Sequence, residues 1–114
     1  MNSEIEEIFG NIQYDNKPLE YAYLIYRGKN TTYVTYQSTG DRNTLSADDE
    51  VIAGIIYYDI DIYSDKNFLE LIKKIKQEMK KNGYVYLESS PDMYEKDTGL
   101  FHKTLEFAKE KEEI

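Results

Sequence analysis

The chain lacks cysteine and tryptophan, and it has one histidine and two prolines among its 114 residues. Without cysteine, a disulfide framework and thiolate metal ligands are excluded, which favours a reducing compartment. A single histidine leaves no pair at metal-binding spacing, so we interpret His102 as a surface or interface residue. No apolar run is long enough for a signal segment or a membrane span, and we expect a soluble protein without membrane contact.

Basic residues are also scarce, since 14 lysines and arginines face 22 aspartates and glutamates and the formal net charge is -8. A phosphate-binding surface needs clustered basic side chains, so this balance argues against nucleic-acid binding. The one basic stretch, residues 73–81, is interpreted as the solvated side of a helix.

Tyrosine, in contrast, is abundant, with 12 copies against 4 phenylalanines. Phenols suit half-exposed sheet faces and protein interfaces, because one edge of the ring is apolar and the other is polar. The length and a hydrophobic content of 40% predict one folded domain over residues 1–114, with a flexible charged tail at about 109–114. The composition favours a surface that contacts another protein.

The clearest structural signal is a strand that runs directly into an amphipathic helix within residues 50–83. In the strand, apolar residues alternate with carboxylates and phenols, as Ile56, Tyr58, Ile60 and Ile62 against Tyr57, Asp59, Asp61 and Tyr63. In the helix, apolar residues recur every three or four positions, as Phe68, Leu71, Ile72, Ile75 and Met79. We therefore expect this helix to pack on the apolar row of the strand, with Ser64 or Asp65 as its N-cap and Gly83 at its end.

The part of the chain before this unit predicts a short helix at residues 3–12 and strands at 21–26 and 31–38, joined by a tight turn. Because neither face of the strand 31–38 is strongly apolar, we expect it at a sheet edge or against a partner subunit. The polar residues 39–50 predict an exposed loop. Within the long strand, Gly54 predicts a bulge or a close backbone approach.

After the helix, residues 84–88 and 100–108 predict two further strands, the second in a closing hairpin. In that last strand Phe101, Leu105 and Phe107 share one face, and His102, Thr104 and Glu106 share the other. Together these elements predict an α+β fold, a twisted antiparallel sheet of about four to five strands packed against one long helix and a short N-terminal helix.

Carboxylates supply the only candidate chemistry. Asp59 and Asp61 lie on one strand face, where they can act as an acid and base pair or hold a hard cation. We prefer the interpretation that they keep this face hydrated, because no third ligand is near in sequence. Asp48, Asp49 and Glu50 lack the glycine and the alternating spacing of a calcium loop. The sequence therefore predicts no catalytic centre, no metal and no cofactor.

Several segments together resemble a known class of protein. They are the Ala-Asp-Asp loop of residues 46–50, the segment 57–66, whose strand ends in aromatic Tyr63, the aromatic strand 23–26 and the segment 92–107. In this order they resemble small tail proteins of siphophages and prophages of low-GC Gram-positive bacteria, of the lambda-type tail terminator or tail-completion kind. The resemblance spans about residues 5–107 and departs at residues 20–22, which lack the proline expected before the aromatic strand.

The resemblance implies a non-enzymatic virion protein that forms a homo-oligomeric ring at the head-proximal end of the tail tube. It implies contacts with the major tail tube protein and a head-completion protein, assembly in the host cytoplasm, and a final place in the virion tail. Genomic DNA would pass through the ring without specific binding. The residues we expect at an interface, the lumen or its rim are Tyr33, Tyr36, Asp48, Asp49, Glu50, Asp59 and Asp61.

Three alternatives to this function remain open from the sequence. The first is another component of the phage head–tail connector. The second is a small cytosolic protein-binding or regulatory module, since exposed tyrosines and an edge-type strand suit any protein interface. The third is a metal-dependent enzyme that uses Asp59 and Asp61.

Overall fold

The computed structural model describes residues 3–47 and 50–112, with side chains at 4–41 and 53–110. Half of the chain is strand, and two helices accompany the strands. The helices are α1 (Ser3–Gly10) and α2 (Leu69–Lys81). The strands are β1 (Gln13–Tyr14), β2 (Lys17–Pro18), β3 (Tyr21–Tyr23), β4 (Thr32–Ala47), β5 (Glu50–Ser64), β6 (Val85–Ser89), β7 (Met93–Glu95) and β8 (Leu100–Glu112).

Six of these strands form one sheet in the order β3-β4-β5-β8-β6, and β7 pairs with the part of β8 that β6 leaves free. Strands β1 and β2 form a separate two-stranded sheet. All neighbours in the large sheet are antiparallel except β3 and β4, which are parallel with Tyr21 opposite Val34. The long pairings of β4, β5 and β8 give an elongated molecule of 52 × 27 × 23 Å.

Both helices pack on the same face of the large sheet, where apolar residues of all three long strands meet them. In α2 the buried residues follow the helical period, as Leu71, Ile72, Ile75 and Met79. The cluster that they join includes Ile5, Ile8 and Phe9 of α1 and Val34, Tyr36, Tyr58, Ile60, Ile62, Leu105 and Phe107 of the sheet. Because side chains alternate along a strand, the residues between these core positions lie on the other side. We call that side the open sheet face, and it carries Tyr33, Thr35, Asp59, Asp61, Tyr63, His102, Thr104 and Glu106.

The predicted architecture, a twisted antiparallel sheet of about four to five strands packed against one long helix and a short N-terminal helix, is wrong. The large sheet has six strands, a second small sheet accompanies it, and α2 has only 13 residues. Several short strands explain the difference. Strands β1, β2, β3 and β7 have two or three residues each, too few to show a period of two in the sequence.

The predicted exposed loop at residues 39–50 is also wrong over its described part. Strand β4 continues to Ala47 and β5 begins at Glu50, while Asp48 and Asp49 lie outside the described residues. Pairing with the apolar strand opposite overrides the low strand propensity of this polar segment. The pairing of β4 with β5 has three register shifts, and one of them lies directly beside Gly54, where the sequence predicted a bulge.

The charged tail predicted at 109–114 is strand as far as Glu112, because β8 pairs with β5 up to Ala53. The last two residues lie outside the described part of the chain.

The predicted hairpin between the two aromatic strands does not form, since β3 ends at Tyr23 and runs parallel to β4. Leu24 has a φ of 63°, a left-handed conformation that ends the strand. The strand predicted at residues 31–38 therefore does not form the sheet edge over Val34–Tyr36, because β3 flanks it there and β5 flanks it on the other side.

Helix α2 begins later than its predicted cap. The first helical residue is Leu69, whose amide donates to Asn67 Oδ1 at 2.9 Å. Ser64 is instead buried, and its hydroxyl contacts Thr32 Oγ1 at 2.8 Å. At the other end Gly83 has a φ of 87°, which confirms it as the residue that closes the helix.

Tyr36, which the sequence placed at an interface, is a core residue with 1% of its surface exposed. Its hydroxyl donates to Glu6 Oε2 at 2.8 Å, which ties β4 to α1. Its ring also packs against Phe9 and Tyr23, with centroid distances of 6.0 and 5.4 Å. Tyr36 thus fastens the N-terminal helix to the sheet.

We expect Tyr36→Phe to lower the free energy of unfolding by about 1 kcal/mol, because the change leaves a partly buried carboxylate without this donor. Urea unfolding followed by circular dichroism measures the effect. Tyr94→Phe is the control, since Tyr94 is 56% exposed. Equal effects of the two changes would contradict the assigned role of the Tyr36 hydroxyl.

Candidate functional site

A row of four aromatic rings crosses the open sheet face. Neighbouring rings are nearly parallel, with centroid distances of 4.1 Å between Tyr26 and Tyr33, 4.8 Å between Tyr33 and Tyr63, and 4.2 Å between Tyr63 and His102. The register explains the row, because Tyr33, Tyr63 and His102 are direct partners across β4, β5 and β8. Since each ring covers the face of the next, the row presents ring edges and hydroxyl groups rather than ring faces.

Tyr26 reaches the row from the segment between β3 and β4, where Gly28 makes room for its ring. A Cβ atom at Gly28 would lie 2.2 Å from the Tyr26 hydroxyl oxygen. The same hydroxyl accepts a hydrogen bond from the Asn30 amide at 3.1 Å and lies 3.4 Å from Glu20 Oε1. The segment therefore holds Tyr26 by close backbone approach, which only glycine allows at position 28.

Asp61 anchors the His102 end of the row. Its Oδ1 atom lies 3.0 Å from His102 Nε2 and also accepts a hydrogen bond from the Thr104 hydroxyl. These contacts fix the imidazole ring in its stacked position beside Tyr63. In the described structure, then, Asp61 has a positioning role.

Asp59 lies two residues further along the same face, in an acidic environment. Partial burial raises the pKa of Asp59, and the charges of Asp61 and Glu106 raise it further. Asp59, Glu88 and Glu106 line a shallow depression of about 310 Å³. Among the described residues, no group of three or more acidic or histidine side chains has the arrangement of a metal site.

A second depression, of about 240 Å³, lies at the Tyr26 end of the row. Its polar lining includes Glu95, and its apolar lining includes the exposed side chains of Leu24 and Ile25. Partial burial raises the pKa of Tyr33, with the Glu95 charge as the next cause. Burial, followed by the charges of Asp61 and Glu95, raises the pKa of Tyr63 to about 12. Both phenols therefore stay protonated in a negatively charged environment.

The two outer edges of the large sheet expose apolar side chains. At one edge all five residues of β6 are exposed, with Val85 at 60% and Leu87 at 44%. At the opposite edge Tyr23, Leu24 and Ile25 are exposed. Among the described strands β6 pairs only with β8, so the backbone of its outer edge has no strand partner.

The predicted site residues are thus partly brought together. Tyr33, Asp59 and Asp61 share the open sheet face, whereas Tyr36 is in the core on the other side. Asp48 and Asp49 lie outside the described residues, and Glu50 is described only as the first backbone position of β5.

Sequence reasoning missed Tyr26 and Glu95 as members of this site. The alternating pattern placed Tyr63 and His102 on their strand faces, but it did not show that they are cross-strand partners.

No protein-family model matches the chain, and no curated protein matches it either. Neither helix of the described structure has the length and apolar character that crossing a membrane requires.

We expect Gly28→Ala to displace Tyr26 and shorten the aromatic row, because the added Cβ overlaps the ring. The near-ultraviolet circular dichroism of the tyrosines should weaken, since stacked phenols contribute strongly and no tryptophan masks them. Gly10→Ala is the control, because a Cβ there has no neighbour within 4 Å. An unchanged spectrum for Gly28→Ala would contradict the close contact.

We expect Asp59→Asn to stabilise the fold at pH 7. Because the folded-state pKa is raised, ionising Asp59 costs more in the folded than in the unfolded chain, and stability falls as the pH rises above 3.8. The amide removes that cost, which solvent screening keeps to about 0.5 kcal/mol. Urea unfolding should show the gain at pH 7 and lose it at about pH 3.5.

Asp92→Asn is the matched control for that measurement. Asp92 pairs with Lys103 at 2.9 Å on the surface, so its amide variant should show no gain at pH 7. A gain for Asp59→Asn that persists at low pH would show that charge is not its cause.

Proposed function

We propose that the protein is a non-enzymatic virion subunit of the tail terminator or tail-completion type, which forms a ring at the head-proximal end of a phage tail tube. The resemblance of its segments to such proteins gives the class. The open apolar edges at opposite ends of its large sheet support the ring.

The observation that carries the proposal is the pair of different edges. A ring forms when one patch of a subunit contacts a different patch of the next, so the two patches must lie on different sides of the subunit. Strand order puts β6 at one edge and β3 at the other. Exposed apolar residues at both edges can then be buried between neighbours, and the free backbone of β6 can continue the sheet into the next copy.

Two lysines near β6 and one glutamate near β3 could meet between neighbouring copies. Beside β6, the side chains of Lys76 and Lys80 border an apolar depression of about 280 Å³ with Tyr84 and Tyr86. Lys76 Nζ lies 4.1 Å from the centre of the Tyr86 ring, and neither lysine forms an ion pair with a described residue. At the other edge the exposed Glu20 directly precedes β3. A contact between Glu20 of one copy and these lysines of the next would favour head-to-tail association.

In such a ring, the open sheet face would line the lumen. Asp59, Asp61 and Glu106 lie on this face, and its described side chains on β4, β5 and β8 include no lysine or arginine. A wall of carboxylates repels phosphates at short range, so DNA passes without binding. The contacts along the tube axis would be with the major tail tube protein and a head-completion protein. Assembly would take place in the host cytoplasm, before the ring becomes part of the virion.

The test is electron microscopy of the purified protein mixed with tail tubes of its own phage. We expect one ring at one end of each tube and a uniform tube length when the protein is present during polymerisation. A free protein that stays monomeric agrees with this, because a tube end can be required for ring closure. Tubes that remain bare and of variable length would overturn the proposal.

We expect Leu87→Lys to abolish rings on tubes, because it places a charge in the apolar contact at the β6 edge. Leu69→Lys is the matched control, since Leu69 is 60% exposed on α2 rather than at a sheet edge. Both variants should unfold within about 0.5 kcal/mol of the parent chain. Rings that form equally well with Leu87→Lys would exclude the β6 edge as the subunit contact.

A further inference from the structure

The depression at the Tyr26 end of the aromatic row has the features of a binding site for a cation on an aliphatic stem. It is lined by Leu24, Ile25, Tyr26, Tyr33, Thr35, Tyr63 and Glu95. We propose that this depression, the arginine pocket, binds an arginine side chain of a partner protein. Leu24 and Ile25 belong both to this pocket and to the β3 edge, so the inference concerns the free chain, and its test does not require ring formation.

Among the described side chains, none forms an ion pair with the carboxylate of the pocket. Glu95 accepts a hydrogen bond from the Thr98 hydroxyl at 3.2 Å, and it forms no ion pair with any residue that the structure describes. Its charge is close enough to raise the pKa of both Tyr33 and Tyr63. A cation in the depression would lie beside that carboxylate and relieve the unfavourable field.

Two hydroxyl groups add hydrogen-bond acceptors. Within the described part of the chain, the Tyr33 and Tyr63 hydroxyls have no hydrogen-bond partner, unlike that of Tyr26, which is held by Asn30 and Glu20. The stacking of the rings fixes both phenol side chains. Binding a ligand to their oxygens therefore costs little side-chain entropy.

The apolar wall fits the stem of the ligand. Leu24 is 50% and Ile25 63% exposed, and both lie at the rim of the same depression as Glu95. Methylene groups that carry a charged head pack on such surfaces while the head reaches a polar partner.

The combination of acceptors favours a guanidinium group over an ammonium group. A guanidinium presents five N–H donors in one plane, enough to meet a carboxylate and two phenol oxygens together. It is also more weakly hydrated than an ammonium, so a shallow and open depression suffices to bind it.

The test is a titration of the full ¹⁵N-labelled protein with N-acetyl-arginine amide, followed through the backbone amide signals. The uncharged N-acetyl-citrulline amide, which has nearly the same shape, is the parallel probe. We expect saturable shifts around Tyr33, Tyr63 and Glu95 with arginine, at a Kd on the order of millimolar, and at least about tenfold weaker binding of citrulline.

Glu95→Gln should weaken arginine binding about tenfold, because it removes the charged acceptor. Glu88→Gln is the matched control, since Glu88 borders the other depression and its loss changes the net charge equally. Tyr33→Phe keeps the ring stack and should weaken binding about threefold through one lost acceptor. The dispersion of the amide signals shows whether each variant is folded.

Three results would overturn the proposal. Equal shifts with citrulline and arginine would show that charge is not recognised. Equal weakening by Glu88→Gln and Glu95→Gln would show that arginine binds to the general negative field. Shifts that map to α2 or to the β6 edge would place the binding elsewhere.

Discussion

The alternation of side chains along β5 is the constraint on which the rest of the structure depends. Tyr58, Ile60 and Ile62 point to the helices, so the residues between them must point the other way. A shift of the register by one residue would turn the apolar row out and bury the carboxylates of Asp59 and Asp61. The core therefore fixes the register of β4 and β8 against β5, and with it the position of every side chain on the open sheet face.

The aromatic row is a direct consequence of this register. Tyr33 and His102 come to lie on either side of Tyr63 because their inward neighbours Val34 and Lys103 are both opposite Ile62. Partial burial in the stack keeps the phenols protonated, and Asp61 holds the imidazole at the end of the row. The same pairings that build the core thus place a rigid set of hydroxyl groups beside Glu95, which forms no ion pair with a described residue.

The sequence could predict the elements in which a regular apolar pattern continues over many residues. Residues of α2 and the apolar row of β5 are confirmed as core, and Leu105 and Phe107 share a buried face as expected. Residues 39–47 could not be predicted as strand, because their own side chains are polar and the partner strand supplies the apolar residues.

The sequence predicted the candidate site only in part, again because the surroundings of a residue depend on the strand that pairs with it. Alternation places Asp59, Asp61 and Tyr63 on one face. Their cross-strand partners, however, depend on the register, and β-bulges such as those at Gly40 and near Asn43 can shift it. The place of Tyr26 depends on a single left-handed residue, Leu24, and on the space left by Gly28. Neither has a signal in the pattern of apolar residues.

Strands β6 and β7, the two that pair with the outer side of β8, are protected against pairing with another chain to different degrees, and this difference bears on assembly. Strand β7 has three residues and follows Pro91, two devices that discourage pairing with another chain. Strand β6 has no proline and no lysine, and its apolar side chains are exposed. Such an edge favours association between copies of the chain, whereas a net charge of -8 makes free copies repel one another. If the chain acts in a ring, this balance lets subunits remain separate in solution and join where a tube end holds several of them side by side, because high local concentration then offsets the repulsion.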